Sequence, residues 1–158
     1  MGDQKPLPPT IGGESAARPV FTTLEKAEFI RSVDVFSQAT VEELYRLASI
    51  GREEVFSAGW VIFQETDIAD AFYLVVQGQI ESISKPGDVR EVAGPGGVFG
   101  LYSALTRESR YATATALENT LAISIAAEDL FSLLSNNMEI VVSIFKHFVK
   151  RLGLGPRA

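Results

Sequence analysis

The spacing of apolar residues along this chain changes period twice. From Thr22 to Ile50 it is helical: Leu24, Ala27, Ile30 and Val33 share one face, and Val41, Leu44, Leu47 and Ala48 share another. Each run opens on a threonine with a glutamate three residues later, Thr22/Glu25 and Thr40/Glu43. In such a capping box the threonine oxygen takes a first-turn N–H and the glutamate returns to the cap N–H. The pattern predicts helices from Thr23 to Val33 and from Val41 onward, with Val35-Phe36 as an apolar anchor ahead of the second. From Arg52 the period shortens. β-rich runs appear at 54–57, 61–64, 71–76, 79–84, 90–93, 111–116 and 121–125. Turn residues separate them, among them Gln77-Gly78, Lys85-Pro86-Gly87-Asp88 and Gly94-Pro95-Gly96-Gly97. Short strands at this spacing predict a sandwich, jelly roll or barrel.

The helical period returns at Glu128, with Leu130, Phe131, Leu133 and Leu134 as the apolar set, and Asn136-Asn137 ends that helix. From Met138 a last helix carries Val141, Phe145, Phe148 and Leu152 on one stripe; Ile140, Val142, Ile144 and Val149 widen it. A stripe this wide packs either on the β-core alone or on the core and a second surface, a homodimer partner or an output domain met through residues 138–152. Gly153 and Gly155-Pro156 stop the helix. Residues 1–21 hold Pro, Gly, Ser and charge but little to bury, and are expected to form a disordered arm; 22–152 are expected to be the domain and 153–158 a tail.

Composition narrows the function classes. The 158 residues include no cysteine and one histidine, His147. Disulfides, thiolate chemistry and the common zinc sites are therefore not expected, and a reducing, cytoplasmic setting fits. A net charge of −6 argues against binding nucleic acid through this chain. No apolar run reaches the ~18 residues of a membrane helix, and the first residues lack the apolar core of a secretory leader. His147 and Trp60 are expected to be partly buried structural residues. A proton on His147, near a helix C-terminus, is expected to be favoured. No G-x-x-x-x-G-K-[ST] or G-x-S-x-G occurs, and Gly94-x-Gly96-x-x-Phe99 lacks the third glycine of a dinucleotide loop. Catalysis and a bound cofactor are not expected.

The segment from Gly94 to Ala114 carries the candidate chemistry. A glycine-rich turn runs into a short apolar helix, and an arginine, Arg110, follows ten residues after Gly100. Glycines before a helix let backbone N–H groups approach an anion, and a guanidinium fork can complete a phosphate clamp. Arg110 has a plainer alternative, an ion pair with Glu108 or with an acid across the sheet.

The order of elements, with Val61-Ile62-Phe63, Ala69 to Ile80, Gly94 to Gly100 and Arg110-x-Ala112-Thr113, resembles the cyclic nucleotide-binding domain family. The resemblance runs from about Thr22 to Leu152. It implies an α+β, mainly β architecture: an antiparallel β-roll or jelly roll with flanking N- and C-terminal helices. It also implies a sensor domain for cAMP, cGMP or a related small anion, whose last helix transmits binding. The ligand site would comprise Gly100, Leu101, Tyr102, Ser103, Ala104, Arg110, Tyr111 and Ala112. The amides from Gly100 to Ala104 would cradle the phosphate and Arg110 would pair with it. Two positions depart from the family pattern. Leu101 stands where a glutamate receives the ribose 2′-OH, so Leu101→Glu is expected to raise affinity in an open pocket. Tyr111 stands where a small residue is usual, and its ring would fill part of the pocket or stack on a base. Thr66 and Ser109 replace a usual Gly and Pro. The alternative is a fold of this kind that binds no nucleotide and serves as a dimerisation or docking module.

Overall fold

The computed structural model describes residues 21–84 and 89–153. The expected arm, apart from Phe21, the Lys85–Asp88 turn and the tail beyond Gly153 lie outside the described residues. Both capping boxes form. Thr22 caps α1 (Thr23–Ser32) and Thr40 caps α2 (Val41–Ile50), each oxygen accepting from its glutamate's N–H at 3.2 Å. Between the two helices Asp34–Phe36 make one 3-10 turn, and the anchor residues Val35 and Phe36 are buried in it.

Eight strands follow: β1 (Arg52–Phe56), β2 (Val61–Phe63), β3 (Ala71–Gln77), β4 (Ile80–Ser84), β5 (Val89–Ala93), β6 (Val98–Phe99), β7 (Thr113–Ala116) and β8 (Thr120–Ala126). They form two four-stranded sheets, ordered β1-β8-β3-β6 and β2-β7-β4-β5, with antiparallel pairing throughout. A short helix, α3 (Leu101–Thr106), interrupts the strand run, and α4 (Ala127–Leu134) and α5 (Met138–Arg151) close it. This is the β-roll with flanking helices that the sequence implies. Seven strands match predicted runs; β6 does not, because two residues show no period. It exists by pairing Phe99 with Tyr73 and Val98 with Leu74 of β3.

The core has two layers, and β3 explains why. Its run Ala71–Gln77 is apolar on both faces because both are covered. Phe72 and Leu74 join Ile123 and Ile125 of β8 beneath the helices. Tyr73 and Val75 turn the other way, into the roll, beside Phe63, Phe99, Ala114 and Ala116. The period of two thus sends alternate residues to different cores. At the β3–β4 turn, Gly78 has φ +101° and a Cβ there would lie 2.4 Å from Thr120 Oγ1, so only glycine lets the chain turn this close to β8.

The last helix buries Ile140 and Ile144, while Met138, Phe145 and Leu152 stand 69–72% exposed. Part of its apolar face is therefore left uncovered by the described residues of this domain.

Candidate functional site

The approach to α3 is pinned to the sheet. The Gly96 N–H donates to Val75 O at 2.8 Å, the Val75 N–H donates to Gly97 O at 2.9 Å, and the Gly97 N–H closes the turn on Gly94 O at 2.8 Å. Gly100 then caps α3 in the left-handed conformation, φ +76°. No side chain caps this helix, so the first-turn N–H groups at Leu101, Tyr102 and Ser103 have neither a capping oxygen nor a preceding turn to bond to. The Ala104 N–H already donates to Gly100 O at 3.4 Å, which removes Ala104 from the expected cradle.

Arg110 sits behind that cap. Its residue is only 3% exposed. Nη1 donates to Gly100 O at 2.7 Å and Nη2 donates to Ala71 O. The guanidinium carbon lies 4.1 Å above the centre of the Phe63 ring. Nε is buried without an acceptor among the described residues. The ion pairs among the described residues are Arg90–Glu81 and Arg151–Glu91, so Arg110 pairs with neither Glu108 nor an acid across the sheet. The plainer alternative for this arginine is thereby set aside. Burial lowers its pKa from the usual arginine value, while Tyr73, Asp70, Asp67 and Tyr111 act in the opposite direction. Burial also pushes the Tyr73 phenol up to about 12, with Glu54 adding to the rise.

A long-range loop contact sets the backbone of Arg110. Its N–H donates to Asp67 O and its carbonyl accepts from the Thr66 N–H, both at 2.8 Å. Thr66 holds φ +77° to make that contact. The resemblance implies a glycine at this position, and a β-branched residue in left-handed backbone costs about 1–2 kcal/mol.

Two depressions flank this centre. One is a polar cleft of about 440 Å³ between the Gly94–Gly100 segment, β5 and α5; Tyr111, His147 and Arg151 are among its walls. The other is an apolar groove of about 700 Å³ between α3 and α5, lined by Tyr102, Leu105, Ile144 and Phe148 among others. Glu91, Tyr111 and Arg151 belong to both. The Arg151–Glu91 pair ties the end of α5 to β5 across this partition.

The eight expected site residues therefore separate. Gly100 and Tyr111 line the cleft; Arg110 lies behind it, bonded to Gly100. Tyr102 is 45% exposed and meets Tyr111 and Phe148 edge-on, at 5.9 and 6.2 Å between ring centres, in the groove. Ser103, Ala104 and Ala112 are buried, so a ligand would meet the main chain of this segment more than these side chains. Leu101 stands apart from the cleft as a core residue of the short helix. Its side chain is 3% exposed and belongs to the core beneath the helices, with Phe72, Leu74 and Ala104, rather than to the cleft. A correction concerns His147. Burial, then Arg151, lowers its pKa below the usual imidazole value, with Lys150 adding to this and Asp34 opposing. The surroundings outweigh the helix end, and a proton is disfavoured. Among the described residues no cluster of His, Cys, Asp or Glu could hold a metal ion, and no helix is long and apolar enough to cross a membrane.

Sequence reasoning missed Phe63. It lies 47 residues before Arg110, and only the folded roll brings it under the guanidinium.

A family model described as the cyclic nucleotide-binding domain matches residues 53–137, more than half of the chain. The chain is 31% identical over 104 residues to a cyclic AMP receptor protein of Thermus thermophilus, covering 63% of this chain and 48% of that protein. It is 25% identical over 130 residues to a cyclic nucleotide-gated potassium channel of Rhizobium etli, covering 82% of this chain and 36% of the channel. The chain thus spans less than half of either relative. Among solved structures it is similar to the Thermus thermophilus catabolite activator protein, with a TM-score of 0.66 and 26% identity over 75% of this chain and 58% of that one. With that match over more than half of its length and a roll similar to those of solved relatives, this chain belongs to the cyclic nucleotide-binding domain family.

Proposed function

We propose that this domain binds a cyclic nucleotide, or a related small phosphate-bearing anion, at Arg110 and the first turn of α3, and relays binding through α5. One observation carries the reading. A buried guanidinium donates only to uncharged acceptors, the carbonyls of Gly100 and Ala71, lies over the Phe63 ring, and keeps Nε unbonded. A desolvated cation with no carboxylate in direct contact is costly, although Asp70 and Asp67 act on it from further away, and an anion at the uncapped start of α3 would relieve that cost. The 440 Å³ cleft is of ligand size, and α5 forms one of its walls.

The reading distinguishes this domain from one that grips a ribose. The buried Leu101 side chain offers no acceptor to a 2′-hydroxyl. Losing one such bond is worth about 1–3 kcal/mol, or about five- to a hundred-fold in affinity, in a site built to use it. Titration calorimetry with cAMP, cGMP and 2′-deoxy-cAMP tests both statements. Heat of binding is expected with at least one of the natural ligands, and deoxygenation is expected to change cAMP affinity by less than about three-fold. Absence of heat at millimolar concentrations ends the nucleotide reading. A ten-fold weaker deoxy analogue would mean that another group reads the ribose.

A second reading has its own observation. Met138 and Phe145 on α5 and Leu152 at its C-cap recur every seven residues and are 71, 69 and 72% exposed. An apolar seven-residue repeat is what a facing helix packs against. On this reading the domain dimerises or docks through α5, with or without a ligand. Sedimentation should then show a dimer that Phe145→Glu converts to monomer; a monomeric parent chain at high micromolar concentration would dismiss it.

A further inference from the structure

The Phe63 ring lies beneath the guanidinium, and its position comes from an irregularity in β2. The register against β7 shifts between Val61, opposite Thr115, and Phe63, opposite Ala114. In a regular strand, neighbours point to opposite faces. Here Ile62 and Phe63 are adjacent, yet both are buried in the same core inside the roll. Such an irregularity re-aims a side chain, and in this roll the one re-aimed meets Arg110.

Three more contacts make the ring a fixed support. Phe63 lies 6.2 Å from Tyr73 and 6.1 Å from Phe99, centre to centre, and these two stack at 4.8 Å and 10°. A Cβ built on Gly100 would lie 3.4 Å from Phe63 Cε1 and 2.8 Å from Arg110 Nη1. Cap glycine, ring and guanidinium are thus nested with no room between them. Arg110 itself is held on three sides: Gly100 O, Ala71 O and the Phe63 face. The carbonyls fix the plane's edge. The ring supports the face, and it does so through its quadrupole, which favours a cation above it.

We infer that Phe63 is a positioning residue for the anion site: its aromatic face holds the Arg110 guanidinium in the one plane from which its free donors meet a ligand at the start of α3. The inference rests on the binding role proposed for Arg110, but its first consequence can be read without ligand. Phe63→Leu keeps an apolar side chain of similar reach and removes the face. Fluorinated phenylalanines at position 63 keep the shape and weaken the quadrupole.

The experiment reads two things on the full chain. In the free protein, the Arg110 Nε–H proton signal is expected to be shifted upfield by the ring and to lose that shift in Phe63→Leu. An unchanged signal in that variant overturns the inference, whatever the chain binds. With cAMP as the probe, affinity is expected to fall stepwise with fluorination and by about two- to thirty-fold in Phe63→Leu, with recovery in Phe63→Tyr. Loss of affinity equal in all the fluorinated forms, or none at all, also overturns it, because shape alone would then be at work. A parent chain that keeps the shifted signal but binds no nucleotide would refute the proposed ligand and with it the ligand-positioning role, while the Phe63–Arg110 contact itself would remain.

Discussion

Arg110→Ala is expected to weaken cyclic nucleotide binding by at least about a hundred-fold. A guanidinium gives a phosphate two parallel charge-assisted bonds, each stronger than a neutral one. Bonds to charged groups contribute about 1.5–3 kcal/mol apiece, so two correspond to roughly a hundred- to several thousand-fold. The burial of this arginine places the estimate toward the upper end, because little water competes for its donors. Arg110→Lys is the sharper comparison. It keeps a positive charge but not the planar fork, and cannot reach Gly100 O, Ala71 O and an anion at once. It should bind measurably, at least ten-fold more weakly than the parent. Stability should respond less than affinity. The alanine variant leaves two carbonyls without donors, but it also removes a desolvated cation that no carboxylate contacts directly. Calorimetric titration and thermal unfolding of the three proteins check this. Equal affinities would place the anion elsewhere.

Leu101→Glu is expected to destabilise the domain by about 3–5 kcal/mol at neutral pH and to bring no gain in affinity. The sequence alone suggests the opposite, since a carboxylate at that position could serve a ribose. The fold decides otherwise by packing Leu101 among Ala104, Phe72 and Leu74 under the helix layer. A charge introduced there has no partner, and uncompensated buried charges cost this much. Most single domains have only 5–15 kcal/mol in total, so the variant approaches unfolding. The pH dependence fixes the cause. Burial raises the introduced carboxyl's pKa above its unfolded value near 4.3, so the penalty of ionisation is absent below about pH 4. It grows as pH rises from there through the folded-state value. The stability gap between variant and parent should therefore narrow in acid, whereas Leu101→Met should cost less than about 1.5 kcal/mol at any pH. Urea unfolding at pH 4 and pH 7 measures both. A stable variant with tighter cAMP binding would show that this side chain can turn out of the core into the cleft.

The same feature, an unpartnered charge in a buried place, has opposite meanings at these two positions. Arg110 belongs to a nest of carbonyls and an aromatic ring that answers its charge in part. Leu101 belongs to an apolar layer with nothing to answer a charge. The two residues are nine apart in the chain and the fold sends them to different cores.

Much of the architecture was legible before folding, for a local reason. A capping box involves residues three apart, and both boxes form as written at Thr22/Glu25 and Thr40/Glu43. A strand's alternation and a helix's stripe are likewise properties of neighbours, so seven strands and the long helices follow from spacing. The glycine-rich turn and Arg110 could be picked out because glycine and arginine have few substitutes for what they do there. Position Thr66 could even be recognised as a glycine site, and the structure puts it in left-handed backbone. Distant partners decided the rest. Arg110 takes its carbonyls from residues 10 and 39 positions away. Its aromatic support comes through a register shift in β2 that no periodicity announces. The face that α3 turns to the core depends on where the sheet and the helices around it come to rest, and that placed Leu101 inside and Tyr102 outside. Short-range spacing thus determined the elements and singled out the residue at the centre of the candidate site. Only the packing of one layer on another determined which side chains surround it, because the energies that choose between faces arise from surfaces far apart in the chain.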